Sequence, residues 1–96
     1  MRTQQTAAFA AWLAGLRDGR AEVAIRVRIV RIEAGNIGKV RDLGDGVSEA
    51  KIDYGPGYRL YFTRRGGDLL ILLCGGDKGS QRRDIAEAKR MAARIP

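Results

Sequence analysis

Residues 48 to 64 alternate apolar and polar side chains on both sides of a Gly55-Pro56-Gly57 turn, and this pattern constrains the fold more than any other feature of the chain. The apolar members of the alternation are Ala50, Ile52, Tyr54, Tyr58, Leu60 and Phe62. A period of two is typical of a β-strand with one face on the core, and glycine and proline favour reversal of the chain. The pattern therefore predicts two antiparallel strands whose apolar rows face the same side.

The part of the chain before this alternation has helical periodicity. Thr6 can cap a first helix, and Asp18 or Gly19 begins a second helix over roughly residues 20 to 34. The two apolar stripes are Phe9, Trp12, Leu13 and Leu16 in the first helix and Ile25, Ile29 and Ile32 in the second. This spacing of three and four residues places each set on one helix face, so the sequence predicts an αα-hairpin.

Shorter signals predict the remaining elements. Val40 to Leu43 is consistent with a short strand, and the uniformly apolar run from residue 69 to 74 predicts a strand covered on both faces. Ser80 can cap a final helix, whose apolar stripe is Ile85, Ala88, Ala92 and Ile95. The order predicts one α+β domain over residues 1–96, with an N-terminal αα-hairpin packed on a three- to four-stranded antiparallel sheet and a C-terminal helix.

Composition excludes several classes of protein and site. The chain is 45% hydrophobic and 30% charged, and no apolar stretch approaches the roughly 20 residues that span a bilayer. The N-terminus lacks the apolar block of a signal peptide, so we expect a cytoplasmic protein without a membrane partner. The absence of histidine removes serine triads and histidine metal sites, and we expect no metal and no cofactor. Cys74, inside the apolar run, is predicted to be a buried structural thiol.

The charge of the chain indicates the class of its partner. Eighteen basic residues against eleven acidic residues give a formal net charge of +7 and a pI near 10.3. A domain this basic favours a nucleic acid or a ribonucleoprotein as its partner. The alternative is an acidic protein partner.

The polar face of the predicted hairpin is a candidate RNA-binding surface. Lys51, Arg59 and Tyr61 share the face opposite the core if the two strands pair across the turn. Arg64 and Arg65 end the second strand. Arginine binds phosphate through a planar pair of donors, and aromatic rings stack on unpaired bases. Polar residues on the open face of a sheet are also expected without any function, so both interpretations stay open.

The glycine-rich loop GGDKGS follows the apolar run and places Lys78 within reach of the same sheet edge. The loop lacks the G-x-x-x-x-G-K-[ST] spacing of a nucleotide-binding phosphate loop. We therefore interpret Lys78 as part of the cationic face and Ser80 as a helix cap.

Three longer motifs carry a family resemblance. They are T-x-x-F-x-x-W-L-x-x-L-R-D from Thr6 to Asp18, GVSEAKIDYGPGYRLYFTRRG from Gly46 to Gly66 and LLCGGDKGSQRRDIAEAK from Leu72 to Lys89. Over nearly its whole length the chain resembles the addiction-module killer proteins, a HigB-like branch of the RelE/ParE toxin superfamily. The resemblance implies the RelE/ParE fold, the toxin role in a type II toxin–antitoxin system and a cognate antitoxin as partner.

Members of this superfamily are mostly ribosome-dependent mRNA endonucleases, called mRNA interferases, or inhibitors of DNA gyrase, and the fold does not choose between them. For an endonuclease, the resemblance implies metal-independent attack of a ribose 2′-hydroxyl on the adjacent phosphorus of mRNA on the ribosome. This reaction requires a group that takes the 2′ proton, cations that stabilise the phosphorane and an acid for the leaving oxygen. Cleavage of this kind inhibits translation and growth.

The resemblance also implies roles for individual residues. Arg59 matches the arginine of the superfamily's YR-x-x-Y-like strand, so we expect it to bind the scissile phosphate. Lys51 and Lys78 match regions where the nucleases carry basic residues, and either is a candidate base if neighbouring cations lower its pKa. Tyr61 is a further catalytic candidate, with base stacking as its alternative role. The candidate nucleic-acid contacts are Arg64, Arg65 and Arg82.

The sequence departs from the nuclease pattern at two positions. Gly79 stands where many nuclease members carry a further arginine, and Ile85 stands where they carry a tyrosine or a histidine. These departures favour the alternative of a non-enzymatic, ParE-like inhibitor of DNA gyrase. A third interpretation is a binding-only module that docks an acidic antitoxin on its basic helices. The candidate docking residues are Arg26, Arg28, Arg31, Arg82, Arg83 and Lys89.

The first five residues, MRTQQ, lack the apolar alternation of the superfamily's usual first strand. The sequence therefore leaves open whether that strand forms.

Overall fold

The computed structural model describes all 96 residues as three α-helices and a five-stranded sheet. The strands are β1 (Arg2–Gln5), β2 (Arg41–Gly44), β3 (Val47–Ile52), β4 (Tyr58–Arg65) and β5 (Leu69–Gly76). The helices are α1 (Ala7–Ala14), α2 (Gly19–Glu33) and α3 (Gln81–Arg94), and the single 3₁₀ turn Lys78–Ser80 precedes α3. The predicted α+β class is confirmed.

The sheet has the strand order β1-β5-β4-β3-β2 and is mixed, because β1 runs parallel to β5 while all other pairs are antiparallel. The sequence predicted three or four antiparallel strands, so the structure adds a parallel edge strand. β1 has no apolar face, and backbone pairing with β5 together with a hydrogen bond from Thr3 to the Glu33 carboxylate at 2.6 Å holds it in place. Polar strands of this kind leave no periodic signal in a sequence.

Side chains at their N-termini fix both N-terminal helices; the sequence predicted the Thr6 cap and a second helix that begins at Asp18 or Gly19. The Thr6 hydroxyl accepts a hydrogen bond from the Phe9 N–H at 3.0 Å and donates to the Leu73 carbonyl at 2.6 Å, so it caps α1 and attaches it to β5. Asp18 caps α2 by accepting from the N–H groups of the next turn. The Tyr54 hydroxyl also donates to this carboxylate at 2.9 Å. That hydrogen bond lowers the pKa of Asp18 and raises the pKa of Tyr54.

One face of the sheet carries the larger core. Its buried members are Phe9, Leu13, Ile25, Ile29, Ile32, Ala50, Ile52, Leu60, Phe62, Leu70 and Leu72. The strand members confirm the predicted apolar rows, and the helix members confirm the predicted stripes. The two helices share this core while each lies against strands: α1 against β5 and β1, and α2 against β1 and β3.

The opposite face of the sheet is covered in part by α3. A second, smaller core lies there, formed by Val47, Tyr61, Ile71, Leu73, Cys74, Ala88 and Ala92. Strand β5 contributes side chains to both cores, which confirms the prediction that the run from 69 to 74 is covered on both faces. The sheet is therefore a middle layer between α1 and α2 on one side and α3 on the other.

The start of α3 differs from the prediction. Ser80 occupies the N-cap position but its side chain makes no capping hydrogen bond, and its hydroxyl donates to the Asp84 carboxylate instead. The cap belongs to the preceding 3₁₀ turn, where the Asp77 carboxylate accepts from the Ser80 N–H at 3.2 Å. The chain packs closely here, since a Cβ at Gly76 would overlap Asp84.

Candidate nucleic-acid interface

Gly55, Pro56 and Gly57 form the turn that joins β3 to β4. Gly55 and Gly57 have positive φ angles of 58° and 76°, which other residues rarely adopt. The Gly57 N–H donates to the Tyr54 carbonyl across the turn at 3.2 Å. A Cβ at Gly57 would also lie 3.2 Å from a guanidinium nitrogen of Arg59. The turn therefore depends on glycine both for its conformation and for the space that Arg59 occupies.

Arg59 is the most buried cation near this turn, with 7% of its surface exposed. It is paired directly with Lys51 of β3, so the two side chains lie side by side on one face of the sheet. Its Nη1 donates to the Gly57 carbonyl. Its Nε makes no hydrogen bond and lies 3.8 Å from a carboxylate oxygen of Glu49. Protein groups on two sides thus position the guanidinium.

Glu49 is a buried carboxylate that sequence reasoning missed. It is 7% exposed, accepts a hydrogen bond from the Gln81 amide at 2.9 Å and lies 3.5 Å from the guanidinium of Arg41. Glu49 therefore lies between two arginines and connects β3 to the start of α3. Partners of this kind offset the cost of removing a carboxylate from water. The sequence offered one signal, which is the position of Glu49 two residues before Lys51 and hence on the same strand face.

Lys51, Arg59 and Lys78 line one open cavity of ≈ 320 Å³ beside the turn, which we call the hairpin cavity. The structure thus brings three of the four predicted catalytic residues to one place. The Lys51 amino group lies 3.6 Å from the Asp53 carboxylate, an exposed contact that contributes less than about 1 kcal/mol and leaves the ammonium available. Lys78 is exposed on the 3₁₀ turn that precedes α3. Three cations around one concavity can bind a phosphate.

Tyr61 lies where the sequence did not predict it. It was expected on the open face of the hairpin, but its surface is fully buried in the second core under α3. The expectation was wrong because the polar face of β4 is not open at this position. Burial, followed by the carboxylates of Glu49 and Asp84, raises the pKa of Tyr61 well above its usual value. Its hydroxyl lies near the Glu49 carboxylate of the paired strand but does not reach hydrogen-bond geometry with it. Tyr61 can therefore neither stack on a base nor touch a phosphate.

Arg64 and Arg65 lie at the far end of β4. At a rise of about 3.3 Å per residue, roughly 20 Å of strand separates Arg65 from Arg59. Arg65 donates to the carbonyls of Ala92 and Ile95 at 2.9 and 3.2 Å, so it caps the C-terminus of α3. Both arginines therefore lie apart from the hairpin cavity, and their contact with nucleic acid stays a prediction.

The start of α3 contains the two positions at which the chain departs from the nuclease pattern. Gly79 lies in the 3₁₀ turn, and Ile85 packs against the second core. Neither residue supplies a polar group to the hairpin cavity. Arg82 is exposed in the first turn of α3 and does not line the cavity, so its contact with nucleic acid stays a prediction.

The structure confirms the prediction that Cys74 is a buried structural thiol. Burial, and then the carboxylates of Asp84 and Glu87, raises the pKa of its thiol to about 12. No cluster of three or more potential metal ligands occurs in the structure. None of the three helices has the length and apolar character needed to cross a membrane.

Sequence comparison identifies one relative that spans nearly the whole chain. An uncharacterized protein of Haemophilus influenzae is 42% identical over 95 residues, which cover 99% of this chain and 96% of the relative. The chain belongs to the family of that protein. No family model and no solved structure matches the chain. Because the identity extends over nearly both full lengths, we expect the two proteins to share the fold described above.

Proposed function

We propose that this protein is the toxin of a type II toxin–antitoxin system and that it cleaves mRNA on the ribosome. The observation that supports the proposal most is the convergence of Lys51, Arg59 and Lys78 on the hairpin cavity. The resemblance of the motifs to the HigB-like branch of the RelE/ParE superfamily supplies the reaction. The proposal includes the RelE/ParE fold, a cognate antitoxin partner and a cytoplasmic location.

In the proposed reaction the ribose 2′-hydroxyl attacks the adjacent phosphorus, and the bond to the 5′ oxygen of the next nucleotide breaks. The products are a 2′,3′-cyclic phosphate and a 5′-hydroxyl. The phosphorane formed on the way carries more negative charge than the starting diester, so cations at its oxygens lower the barrier. Arg59 binds these oxygens through its guanidinium, and Lys51 and Lys78 line the same cavity and add two further positive charges. The reaction as proposed is metal-independent.

The buried surroundings of Arg59 support this role. Glu49 and the Gly57 carbonyl hold the guanidinium before substrate binds, so little rotamer entropy is lost when the phosphate arrives. A positioned cation in a partly dehydrated cavity also interacts more strongly with charge than one in bulk water.

Because Tyr61 is buried, other side chains of the cavity must take the 2′ proton and protonate the leaving oxygen. Lys51 and Lys78 are the two lysines of the cavity, and a lysine accepts the 2′ proton only in its neutral form. If one of them is the base, the alanine variant of that lysine should lose cleavage, while the alanine variant of the other lysine should keep part of it.

The experiment that tests the proposal is the mapping of 5′ ends of cellular mRNA after induction of the protein. We expect cuts at a fixed position within codons for the wild type and none for Arg59→Ala. Arg90→Ala, which removes a charge from the exposed side of α3, is the matched control and is expected to cut like the wild type. Uncut transcripts in wild-type cells, or full cleavage by a folded Arg59→Ala variant, would contradict the proposal.

One structural observation favours a second function, the non-enzymatic inhibition of DNA gyrase. Tyr61 is buried and Ile85 packs against the second core, so Tyr54 is the one tyrosine that lines the hairpin cavity. Its hydroxyl already donates to the Asp18 carboxylate at 2.9 Å, which leaves no free aromatic hydroxyl there as an acid. In this case, induction would trigger the SOS response and stall DNA replication while transcripts stay intact. The same transcript maps, combined with an SOS reporter, separate the two functions.

A further inference from the structure

A second cavity adjoins the hairpin cavity, and we call it the edge cavity. It has a volume of ≈ 230 Å³ and lies between the end of β3 and the segment that leads into β2. The two cavities share Lys51 and Asp53, so they form one continuous groove with Lys51 in the middle. The groove therefore extends beyond the residues to which a catalytic role was assigned.

The strand register explains why cations follow this groove. Arg59 of β4 is paired with Lys51 of β3, and Arg41 of β2 is paired with Glu49, two residues from Lys51 on the same strand face. Neighbouring strands lie about 4.8 Å apart, so the groove crosses three strands in about 10 Å. Cationic side chains thus stand on successive strands from the turn toward the β2 edge of the sheet.

The edge cavity keeps an excess of positive charge after its internal contacts are counted. Lys39 has no carboxylate within 4 Å, and the side chain of Arg41 remains 60% exposed beside the buried Glu49. Arg28 has a structural role in the wall. Its Nη groups donate to the carbonyls of Lys51, Ile37 and Lys39, which fixes the segment before β2. Lys39, Arg41 and Lys51 are therefore the side chains that can reach a ligand.

We propose that the edge cavity binds the phosphate that neighbours the scissile linkage, so that a single strand of RNA crosses β3 from the hairpin turn toward the β2 edge. This inference rests on the proposed function and adds to it a second phosphate site formed by Lys39 and Arg41. Two phosphates held on either side of Lys51 fix the path of the strand across the sheet. A contact to phosphate does not read a base, so the site contributes affinity without sequence preference.

The test uses a variant that removes both cations, Lys39→Ala/Arg41→Ala, and a charge-matched control, Arg90→Ala/Arg94→Ala, on the exposed side of α3. Binding of a fluorescent single-stranded hexanucleotide with 2′-deoxy substitution at the scissile position is measured by anisotropy at several salt concentrations. We expect binding of the first variant to weaken at least about 10-fold, because each contact joins two charged groups. The slope of log K against log salt should fall by about 0.7 for the one lost phosphate site.

A second probe replaces one phosphate beside the scissile linkage by an uncharged methylphosphonate. The wild type and the α3 control should lose affinity for this probe, whereas Lys39→Ala/Arg41→Ala should bind both probes alike. Equal binding by the edge variant and the α3 control would overturn the edge site, and the proposed function would stand if the wild type still cuts transcripts. A wild type that cuts transcripts but binds no oligonucleotide would also overturn the edge site. A wild type that neither binds RNA nor cuts transcripts would overturn the proposed function and the edge site with it.

Discussion

The two faces of the sheet use the same strands in different ways. On the face toward α1 and α2, every buried side chain of the core is apolar. On the face toward α3, the strands bury Glu49, Arg59 and Thr63 beside a smaller apolar core. One face is closed by two helices, and the other is closed by one helix that leaves the turn end of the β3–β4 hairpin uncovered.

The difference shows how a small domain can hold both a stable core and a charged groove. The closed face supplies most of the buried apolar surface, which is the dominant favourable term in folding. The open end of the other face then carries buried charges that a dry core would not tolerate. If this division is correct, substitutions on the closed face lower stability most, and substitutions on the α3 face affect the groove more than the fold.

Tyr61 and Phe62 are consecutive, fully buried aromatic residues on opposite faces, and they provide the largest expected effect. Phe62→Ala should lower the free energy of unfolding by about 3–5 kcal/mol, the usual cost for a buried aromatic ring. Tyr61→Ala should cost clearly less, because the wild-type hydroxyl is buried without a partner and the neighbouring groove can admit water. Urea unfolding of both variants measures the difference. Equal costs would show that the two faces are equally closed.

Glu49→Ala tests the charged part of the α3 face. The substitution leaves Arg59 buried without its carboxylate partner and removes the hydrogen-bond acceptor of Gln81. We therefore expect the free energy of unfolding to fall by about 3 kcal/mol. Glu87→Ala, which removes a half-exposed carboxylate paired with Arg90, is the control and should cost less than about 0.5 kcal/mol. Thermal unfolding of the three proteins checks both numbers. A cost for Glu49→Ala no larger than the control would mean that the carboxylate does not hold Arg59.

Gly75 and Gly76 are adjacent and face opposite layers. A Cβ at Gly75 would overlap the Trp12 ring, whereas one at Gly76 would overlap the Asp84 carboxylate and the Ser80 hydroxyl. Gly75→Ala should cost about 1–3 kcal/mol, because a packed ring has to move. Gly76→Ala should cost less, since small polar groups can rotate, but it should reduce cleavage by shifting the turn that carries Lys78. Chemical unfolding of both variants measures the two stability costs, and a cleavage assay measures the activity of each. A larger stability cost for Gly76→Ala than for Gly75→Ala would contradict this expectation.

Tyr61→Phe gives a smaller change, and its direction is the informative part. The substitution removes a buried hydroxyl without a hydrogen-bond partner, so stability should stay constant or rise by up to about 1 kcal/mol. Cleavage should persist, because Tyr61 does not reach the groove. Loss of cleavage with retained stability would restore Tyr61 as a catalytic candidate.

Cys74 gives the last prediction, a change of stability with pH that occurs only in alkali. Its pKa is raised from 9.0 to about 12 in the folded state. The contribution of the thiol to stability is therefore complete below pH 9 and is lost as the pH rises from 9 toward 12. The stability difference between the wild type and Cys74→Ala should shrink over that range. Urea midpoints at pH 8, 9, 10 and 11 measure it, and a constant difference would mean that the thiol is not buried as described.

The sequence predicted those elements whose periodicity reports burial directly. The alternation around Gly55-Pro56-Gly57 identified β3 and β4, and the spacing of Ile25, Ile29 and Ile32 identified α2. β1 gave no such signal, because backbone hydrogen bonds to β5 position its four residues, and these bonds leave no trace in side-chain pattern.

The error at Tyr61 has a different cause. Alternation separates the two faces of a strand but does not say how far along the strand each face is covered. The apolar run from 69 to 74 already predicted a cover on the second face, and the stripe from Ile85 to Ile95 needed a place to pack. Taken together, these two signals would have placed α3 over Tyr61. The burial of Glu49 could not be predicted in this way, since it depends on Gln81 and Arg41 from distant parts of the chain.

The parallel pairing of β1 with β5 also determines how late in synthesis the fold can be completed. The hydrogen bond from Thr6 to Leu73 joins residues 67 positions apart, so the first strand to be synthesised has no partner until most of the chain has left the ribosome. Contacts this distant in sequence slow folding, because a long loop has to close before they form. The nascent polypeptide therefore carries an unpaired N-terminal segment for most of its synthesis, and a product truncated before Leu69 can never dock it.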